Sequence, residues 1–348
     1  MNSLGRLFRI SIWGESHGPT VGVILDGCPP GIELSPGDFS PDLERRRSGA
    51  PGTTGRREND APNFKSGIYE GKTTGAPLSI EFPNLGADSA SYRKIKDIPR
   101  PGHADWTAFA KFGGFSDLRG GGHFSGRLTV GLVAAGVVAK KIIQPMKIRS
   151  EIVEIGGLKD FNKILQQAEI SGDSLGGIVE CRAERVPPGL GEPFFDSVES
   201  LLTHAVFSIP GVKGIEFGDG FRAARMKGSE FNDPILSRDG RTRTNHAGGI
   251  NGGITNGNEL LFRVAVRPTA SISKPQRTVN LFTNRMVTLR LEGRHDTCIA
   301  LRVPVVLEAV AAIILADLLL IRQRLAGSEE RAVPGKKRSW KKTSKEAT

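Results

Sequence analysis

Cysteine is scarce in this chain, and so are the usual signs of an exported protein. The three cysteines among 348 residues, Cys28, Cys181 and Cys298, form no CxxC pair. They therefore indicate neither a disulfide framework nor a zinc cluster, and they favour a reducing, cytoplasmic compartment. The first residues, MNSLGRLFRISIWGESHG, lack the apolar run and small-residue cleavage site of a secretory signal, so we expect no export.

Long hydrophobic runs are also rare, and the single candidate for a membrane span contains charge. Residues 303–321 are apolar apart from Pro304, Glu308 and Asp317. A charged side chain at mid-bilayer costs roughly 2.5–3.5 kcal/mol on insertion scales, and this span would have to bury two. We expect a buried helix and no membrane contact.

Positive charge, in contrast, is abundant and unevenly distributed. Lysine and arginine number 48 against 37 acidic residues, a net charge of +11. Part of the excess lies in residues 327–348, which have no apolar periodicity and are predicted to form a disordered basic tail. Other arginines flank glycine-rich turns, where a planar guanidinium suits bidentate contacts to phosphate or carboxylate. The set favours a small polyanionic ligand.

A basic protein that binds nucleic acid is the alternative from another functional class, given a sequence pI near 9.8. Aromatic residues make up only 6% of the chain, no recognition motif appears, and the arginines lie among glycine turns. We therefore expect no specific nucleic-acid partner, although the tail remains a candidate for weak binding. A metal site is also disfavoured, because only His295 and Asp296 offer close-spaced ligands and adjacent residues rarely bind one ion.

Histidine has the most informative distribution. Five of the six histidines lie in short glycine-rich, charged segments, at residues 14–18, 100–105, 121–123, 245–249 and 293–296. Histidine moves protons near neutral pH, and glycine lets the backbone approach a ligand closely. The pattern predicts a catalytic site assembled from distant loops.

Periodicity predicts a mixed chain of strands and helices with no linker before the tail, hence one domain over residues 1–326. Strands are predicted at 7–13, 20–26, 78–82, 147–155, 177–185, 260–267 and 286–291. Helices are predicted at 38–47, 132–143, 161–170, 196–207 and 304–325. Segments 21–46 and 176–201 each combine a β-rich run, a Pro-Pro-Gly turn and a helix. This echo suggests internal pseudo-symmetry, although shared turn chemistry would also produce it.

Three familiar motifs fit poorly. Residues 14–18 match the G-x-S-x-G of serine hydrolases, but a second β-rich run follows where that motif needs a helix. Residues 66–73 nearly spell a P-loop, yet Ser66 occupies the place of the first glycine. The glycines at 120–122 and 248–253 fail G-x-G-x-x-G followed by a helix, so a Rossmann site is not supported.

Taken together, nine tracts resemble the chorismate synthase family in collinear order from about residue 7 to 325. They are GESHG (14–18), DGCPPGIEL with LERRR (26–34, 43–47), RPGHADWT (100–107), RGGGHFSGR (119–127), VPPGLGEP (186–193), KGIEFGDGF (213–221), NHAGGINGGITNG (245–257), RPTASI (267–272) and RHDTC (294–298). The resemblance implies an α+β fold, a β-α-β sandwich with internal pseudo-symmetry, assembled as a homotetramer. It also implies a carbon–oxygen lyase that eliminates phosphate from 5-enolpyruvylshikimate 3-phosphate to give chorismate.

The resemblance further implies reduced FMN as cofactor, which supplies electrons transiently without net redox change. Whether the protein reduces its own flavin with NADPH stays open. By similarity His17 would protonate the departing phosphate, His103 would act near flavin N1, and Asp296 near N5. The implied substrate contacts are Ser16, Arg46, Ser125, Arg127 and Arg294. The implied flavin contacts are His123, Phe124, Ser125, Pro210, Gly211, Gly252, Arg267, Pro268, Thr269, Ala270, Ser271 and Arg294.

Plainer structural roles compete with some of these assignments. Ser16 would serve to shape the turn that presents His17, Asp105 would cap a helix beginning near residue 106, and His295 would only orient its neighbours. His123 and His246 are evenly balanced between function and structure. Residues 123–129 read HFSGRLT where many family members have RSSARET. The segment 48–52 is one residue shorter than in many members and carries no charge. We therefore expect the ligand contacts of both segments to differ from those of such members.

Overall fold

A computed structural model describes residues 2–47, 49, 52–53, 60–85, 89, 92, 95–291 and 296–325. The predictions for Arg294, His295 and the tail 327–348 lie outside these residues. The strands are β1 Ser3–Leu4, β2 Arg9–Gly14, β3 Thr20–Asp26, β4 Asn63–Ser66, β5 Ile68–Tyr69, β6 Lys72–Thr73, β7 Leu78–Pro83, β8 Lys147–Ile155, β9 Gly177–Glu184, β10 Val212–Phe217, β11 Ile250–Asn251, β12 Ile254–Thr255, β13 Leu260–Val266, β14 Gln276–Asn280 and β15 Arg285–Leu289. The α-helices are α1 Ser40–Arg46, α2 Asp105–Phe112, α3 Thr129–Ile142, α4 Asn162–Ser171, α5 Val198–Val206, α6 Gly228–Phe231 and α7 Val303–Leu325.

Two antiparallel sheets enclose two long helices. The first sheet has the order β1-β2-β3-β7-β4, and the second has the order β10-β13-β9-β8. Helix α3 packs on β2, β3 and β7, helix α7 packs on β8 and β9, and the two helices pack against each other. The helices therefore lie between the two sheets, which confirms the expected β-α-β sandwich.

The two halves repeat one topology, which confirms the pseudo-symmetry suggested by the sequence echo. In the first half, β2, β3, α1, β4, β7 and α3 follow one another along the chain. In the second half, β8, β9, α5, β10, β13 and α7 occupy the same places. The strand orders β2-β3-β7-β4 and β8-β9-β13-β10 correspond one to one. Segments 21–46 and 176–201 are the equivalent strand–turn–helix units of the two halves.

The central helices are apolar on all sides because both of their faces are covered. Residues 129–139 of α3 are all buried, and most of α7 is buried with them. At their crossing, a Cβ on Gly136 would lie 2.3 Å from the Cβ of Ala309, so only glycine permits this separation. Residues 299–325 are long and apolar enough to cross a membrane, but 78% of the most apolar window is buried within the chain. The expected buried helix is confirmed.

The acids within α7 have partners inside the fold. The Glu308 carboxylate accepts from Arg45 Nη2 at 2.7 Å and from Lys140 Nζ at 3.0 Å. Burial acts to raise the pKa of Glu308, but these cations outweigh it and lower the pKa below its ordinary value. Asp317 accepts the backbone N–H groups of residues 6, 7 and 8 at 2.7–2.9 Å. Both acids thus tie the central helix to neighbouring segments.

The predicted elements at 20–26 and 147–155 match β3 and β8 end to end. The predicted helix at 38–47 is divided into a 3-10 turn, Pro36–Phe39, and α1. Strand β3 follows residues 14–18, which confirms that they form no hydrolase elbow. The expectation that Asp105 caps a helix is wrong, because α2 begins at Asp105, its N-cap is Ala104, and the carboxylate turns away towards Arg100 and His103.

Candidate active site

Loops from both halves of the fold converge on one cavity of about 350 Å³, which we call the main cavity. The segments come from the end of β2, the loop before α2, the 3-10 turns before α3, the approach to β10, the end of β13 and the entry to α7. The predicted residues that line it are Ser16, His17, His103, Phe124, Ser125, Arg127, Pro210, Gly211, Arg267, Thr269, Ala270, Ser271 and Asp296. The structure therefore brings together residues 280 positions apart, Ser16 and Asp296.

His17 is held at the cavity wall by three neighbours. Its Nδ1 lies 2.8 Å from Ser89 Oγ, and its ring meets the edge of the Tyr92 ring at 5.3 Å between centroids. Gly120 lies against the opposite side, where an added Cβ would be 2.4 Å from His17 Nε2. Gly120 also has φ +60°, a conformation that side chains disfavour. The glycine at position 120 thus leaves room for the His17 ring, because any other residue would place a side chain against it.

His103 belongs to a compact group of charged side chains. Its Nδ1 lies 2.7 Å from Asp105 Oδ1 and 3.0 Å from Arg100 Nη2. Arg100 also donates to Asp105 through Nε and Nη2, both at 2.8 Å. Burial acts to raise the pKa of Asp105, but the hydrogen bonds from Arg100 and His103 hold it well below the usual range. Asp105 is therefore an anion beside the imidazole.

Two predicted substrate arginines meet on one buried carboxylate. Asp60, 1% exposed, accepts from Arg46 Nη2 at 2.6 Å and from Arg127 Nη1. Burial works against ionisation, yet the two guanidinium charges lower the pKa of Asp60 below its ordinary value. Arg127 lines the cavity and donates through Nε to Asn84 Oδ1 at 2.9 Å. Arg46 does not line the cavity and, at 1% exposure, lies one step behind Arg127.

Asp296 enters the cavity beside an arginine that sequence reasoning missed. Arg302 Nη1 lies 3.5 Å from Asp296 Oδ2, and Arg302 Nε donates to the backbone oxygen of Arg46 at 3.0 Å. Arg302 also lines the main cavity. No tract of the sequence marks it, because it stands in an apolar stretch without a flanking glycine. Asp60 was missed as well, because it stands in a run of charged residues in which the sequence distinguishes no single member.

A second cavity, of about 670 Å³, adjoins the first, and we call it the side cavity. The two share His103, Phe124, Ser125, Thr129, Ile209, Pro210, Gly211 and Arg267 as wall residues. His123 lines only the side cavity, with Nδ1 2.8 Å from the Gly14 carbonyl oxygen and Nε2 3.1 Å from Asn2 Oδ1. Its contacts are thus with the scaffold around β2.

Three further positions that the sequence singled out line neither cavity. Gly252 forms the turn between β11 and β12 and lines neither cavity. His246 pairs through Nδ1 with Asp219 at 2.8 Å and faces the Phe231 ring. Pro268 stands between wall residues without lining either cavity. Among the residues that the structure describes, no group of three or more His, Cys, Asp or Glu could hold a metal ion.

The residues present fit a flavin and an anionic substrate. Together the cavities have the size of ordinary cofactor and ligand pockets. Thr269 Oγ1 is buried at the wall, and within the described part of the chain it has no hydrogen-bond partner, as expected of a group reserved for a polar ligand. Arg100, Arg127, Arg267 and Arg302 supply positive charge to the same walls.

Comparison with known proteins gives one consistent result. A family model described as chorismate synthase matches residues 8–320. A chorismate synthase of Chitinophaga pinensis is 60% identical over 93% of this chain and 98% of its own length. One from Pyrococcus abyssi is 47% identical over 92% and 98%. A solved crystal structure of a chorismate synthase superimposes with a TM-score of 0.72 at 28% identity, covering 91% of this chain and 93% of that one.

Proposed function

Because the chain belongs to the chorismate synthase family, we propose that the main cavity is its catalytic site. The enzyme converts 5-enolpyruvylshikimate 3-phosphate to chorismate with loss of phosphate, in the shikimate pathway of aromatic amino acid biosynthesis. The observation that carries the assignment to this cavity is the meeting of His17, His103 and Asp296 with cavity-lining arginines.

The arginines bind and orient the substrate, which carries one phosphate and two carboxylates. Arg127 is the best-placed cation, since Asp60 and Asn84 fix its guanidinium in one orientation. A fixed guanidinium loses less entropy on binding an oxyanion and offers bidentate contacts. Ser16 and Ser125 supply hydroxyl donors on the same wall. Arg46 acts through Asp60, and Arg294 remains a predicted contact.

His17 holds the proton that the departing phosphate oxygen accepts. Protonation of a leaving oxygen lowers the barrier to breaking its bond to carbon, and a positioned histidine supplies such a proton near neutral pH. The contacts of His17 Nδ1 with Ser89 and of the ring with Tyr92 orient the imidazole for this transfer.

His103 and Asp296 act on the cofactor side of the cavity. Reduced FMN, the family's cofactor, supplies electron density that weakens the bond between the ring carbon and the phosphate oxygen. The wall segments 124–125, 210–211 and 267–271 would hold it, with Thr269 Oγ1 and the Arg267 guanidinium as polar contacts. His103 holds or moves a proton near N1 of that ring, and Asp296 does so near N5.

The wider setting follows the family pattern. We place the enzyme in the cytoplasm as a homotetramer without membrane or specific nucleic-acid partners. NADPH is a candidate reductant for the flavin. We propose that residues 1–326 form the catalytic domain and that the basic residues 327–348 take no part in catalysis.

The test is an anaerobic assay of the purified protein with chemically reduced FMN and 5-enolpyruvylshikimate 3-phosphate. We expect chorismate and phosphate in equal amounts. A parallel aerobic assay with oxidised FMN and NADPH gives product only if the chain reduces its own flavin. Failure of the anaerobic reaction by folded protein would contradict the proposed site.

A further inference from the structure

Two side chains of opposite charge flank one nitrogen of His103. Asp105 Oδ1 lies 2.7 Å from Nδ1, and Arg100 Nη2 lies 3.0 Å from the same atom. A carboxylate only accepts hydrogen bonds and a guanidinium only donates them. If Nδ1 carries the proton, it donates a hydrogen bond to Asp105. If Nδ1 is unprotonated, its lone pair faces the Asp105 carboxylate oxygen at only 2.7 Å, which is unfavourable. The geometry favours a proton on Nδ1.

The carboxylate that makes this contact is itself fixed. Asp105 Oδ2 accepts from the backbone N–H of Arg100 at 3.0 Å and from Arg100 Nε at 2.8 Å, while Oδ1 accepts from Arg100 Nη2 at 2.8 Å. Both side chains are more than nine-tenths buried. The Tyr92 ring covers the guanidinium at 5.7 Å. Asp105 therefore has little freedom to turn away from His103.

The other edge of the imidazole faces the catalytic space. His103 lines both cavities, and its Cε1 and Nε2 lie against Gly121, each 3.5 Å from where a Cβ would stand. With Nδ1 engaged by Asp105, Nε2 is the ring nitrogen left to exchange a proton with a bound ligand. A carboxylate that fixes the tautomer in this way is a recurrent device of proton-transferring histidines.

We propose that Asp105 is a positioning residue for His103: it keeps the proton on Nδ1, so that Nε2 takes or gives the proton in the cavity, and Arg100 keeps Asp105 in place. This inference rests on the proton-handling role of His103 proposed above. Asp105 itself touches neither substrate nor cofactor in this account.

Several titratable groups set the protonation of His103, and their balance predicts what the loss of Asp105 does. The groups that face the imidazole or line the cavities around it are His17, Tyr92, Arg100, Asp105, His123, Arg127, His204, Lys213, Arg267, Asp296 and Arg302. An opposite charge in contact favours the charged imidazole. Asp105→Asn removes the contacting anion and leaves the Arg100 guanidinium beside Nδ1. We therefore expect the variant to bind a proton at His103 less readily than the unaltered protein.

The first measurement follows His103 directly and needs no cofactor. Diethyl pyrocarbonate modifies unprotonated imidazole, so the rate at the His103 peptide, read by mass spectrometry as a function of pH, gives its protonation midpoint. We expect Asp105→Asn to lower this midpoint and Asp105→Glu, which can restore a carboxylate, to return it towards that of the unaltered protein. Asp105→Ser is measured in parallel as a second neutral variant. The result of the neutral variant that folds, Asp105→Asn or Asp105→Ser, decides the test. An unchanged midpoint in a folded neutral variant overturns the proposal.

The matched control is a second His–Asp pair among the residues that the structure describes. His246 Nδ1 lies 2.8 Å from Asp219, away from both cavities. Asp219→Asn is expected to move the midpoint of His246 and to leave the midpoint of His103 and the turnover unchanged. A shift at His103 in this variant would show that the effect is not local, and would contradict the proposal.

The second measurement is a double-mutant cycle on kcat. We expect Asp105→Asn to lower kcat about 10-fold or more, but by no more than the 10²–10⁴-fold loss that removal of a general acid–base group brings. In the His103→Ala background the same change should have an effect below about 2-fold, because the residue it positions is gone. Equal losses in both backgrounds would mean a merely structural role. Near-normal turnover of His103→Ala alone would instead refute the proposed function of His103.

Discussion

Replacement of Asp60 by asparagine tests how the arginines of the cavity are held. Asp60 is 1% exposed and joins Arg46, also 1% exposed, to Arg127, 5% exposed. Removing one partner of a buried ion pair costs about 3–5 kcal/mol, because a charge remains where water cannot solvate it. Asparagine keeps one acceptor oxygen for two guanidinium groups. We therefore expect a loss in that range, which corresponds to about 6 °C or more in Tm.

The assay is thermal unfolding of the purified chain without ligands, followed by substrate titration at a temperature where the variant is folded. We expect a higher KM for the substrate, since Arg127 loses the anion that orients it. Asp196→Asn is the matched control, because its pair with Arg6 is 31% and 58% exposed and such pairs contribute about 0–1 kcal/mol. Equal Tm values for Asp60→Asn and Asp196→Asn would refute the reasoning.

Further predictions concern His17, acid stability, the central helix and the tail. Gly120→Ala would put a Cβ 2.3–2.4 Å from the His17 ring, so we expect displaced His17 and a loss of kcat by about 10-fold or more, on the scale of acid–base groups; unchanged kcat would contradict the tight contact. The fold lowers the pKa values of three carboxyl groups, Asp60, Asp105 and Glu308. They therefore stabilise the folded state above about pH 4, where carboxyl groups of the unfolded chain are ionised. This stabilisation is lost as the pH falls through the lower pKa values of the folded state. As the pH is lowered, the free energy of unfolding should fall less steeply for Asp60→Asn than for the unaltered protein. Parallel curves of this free energy against pH would contradict the prediction. Asp317→Ala removes the acceptor of three backbone N–H groups, one buried and two partly buried, and should cost about 1–3 kcal/mol in chemical denaturation; a loss below about 0.5 kcal/mol would argue against that role. Removal of residues 330–348 should leave lyase activity unchanged, and a truncated protein that binds FMN without turnover would show that the tail takes part.

The elements that could be predicted from the sequence are those whose apolar residues are the ones buried in the fold. Strands β3 and β8 and helix α7 carry periodic or continuous apolar residues, because they face the core. Only the start of helix α2, near residue 106, could be predicted, and its extent could not, since its apolar residues face outwards. Trp106, Phe109 and Phe112 are 40–53% exposed, while the buried positions are Asp105 and Ala108. A reversed pattern of this kind cannot be recognised before the neighbours are known.

The site shows a similar division. Glycine-flanked histidines and arginines could be recognised as a group, of which His17, His103, Arg100, Arg127 and Arg267 line the main cavity. Their depth could not be predicted, because Arg46 and Arg127 have the same chemistry and only packing places one behind the other. Asp60 and Arg302 had no distinguishing neighbours in the sequence. The carboxylate at Asp105 had a signal, its position two residues after His103, but that spacing equally suits a helix cap.

The most direct test of the account is the kcat of His17→Ala and His103→Ala, measured anaerobically with saturating reduced FMN. Both imidazoles are placed at the wall of the main cavity, one for the phosphate and one for the cofactor side. We predict that each variant folds normally, binds substrate and loses about 10²–10⁴-fold in kcat. Near-normal kcat in both would contradict the claim that this cavity performs the elimination with these two histidines.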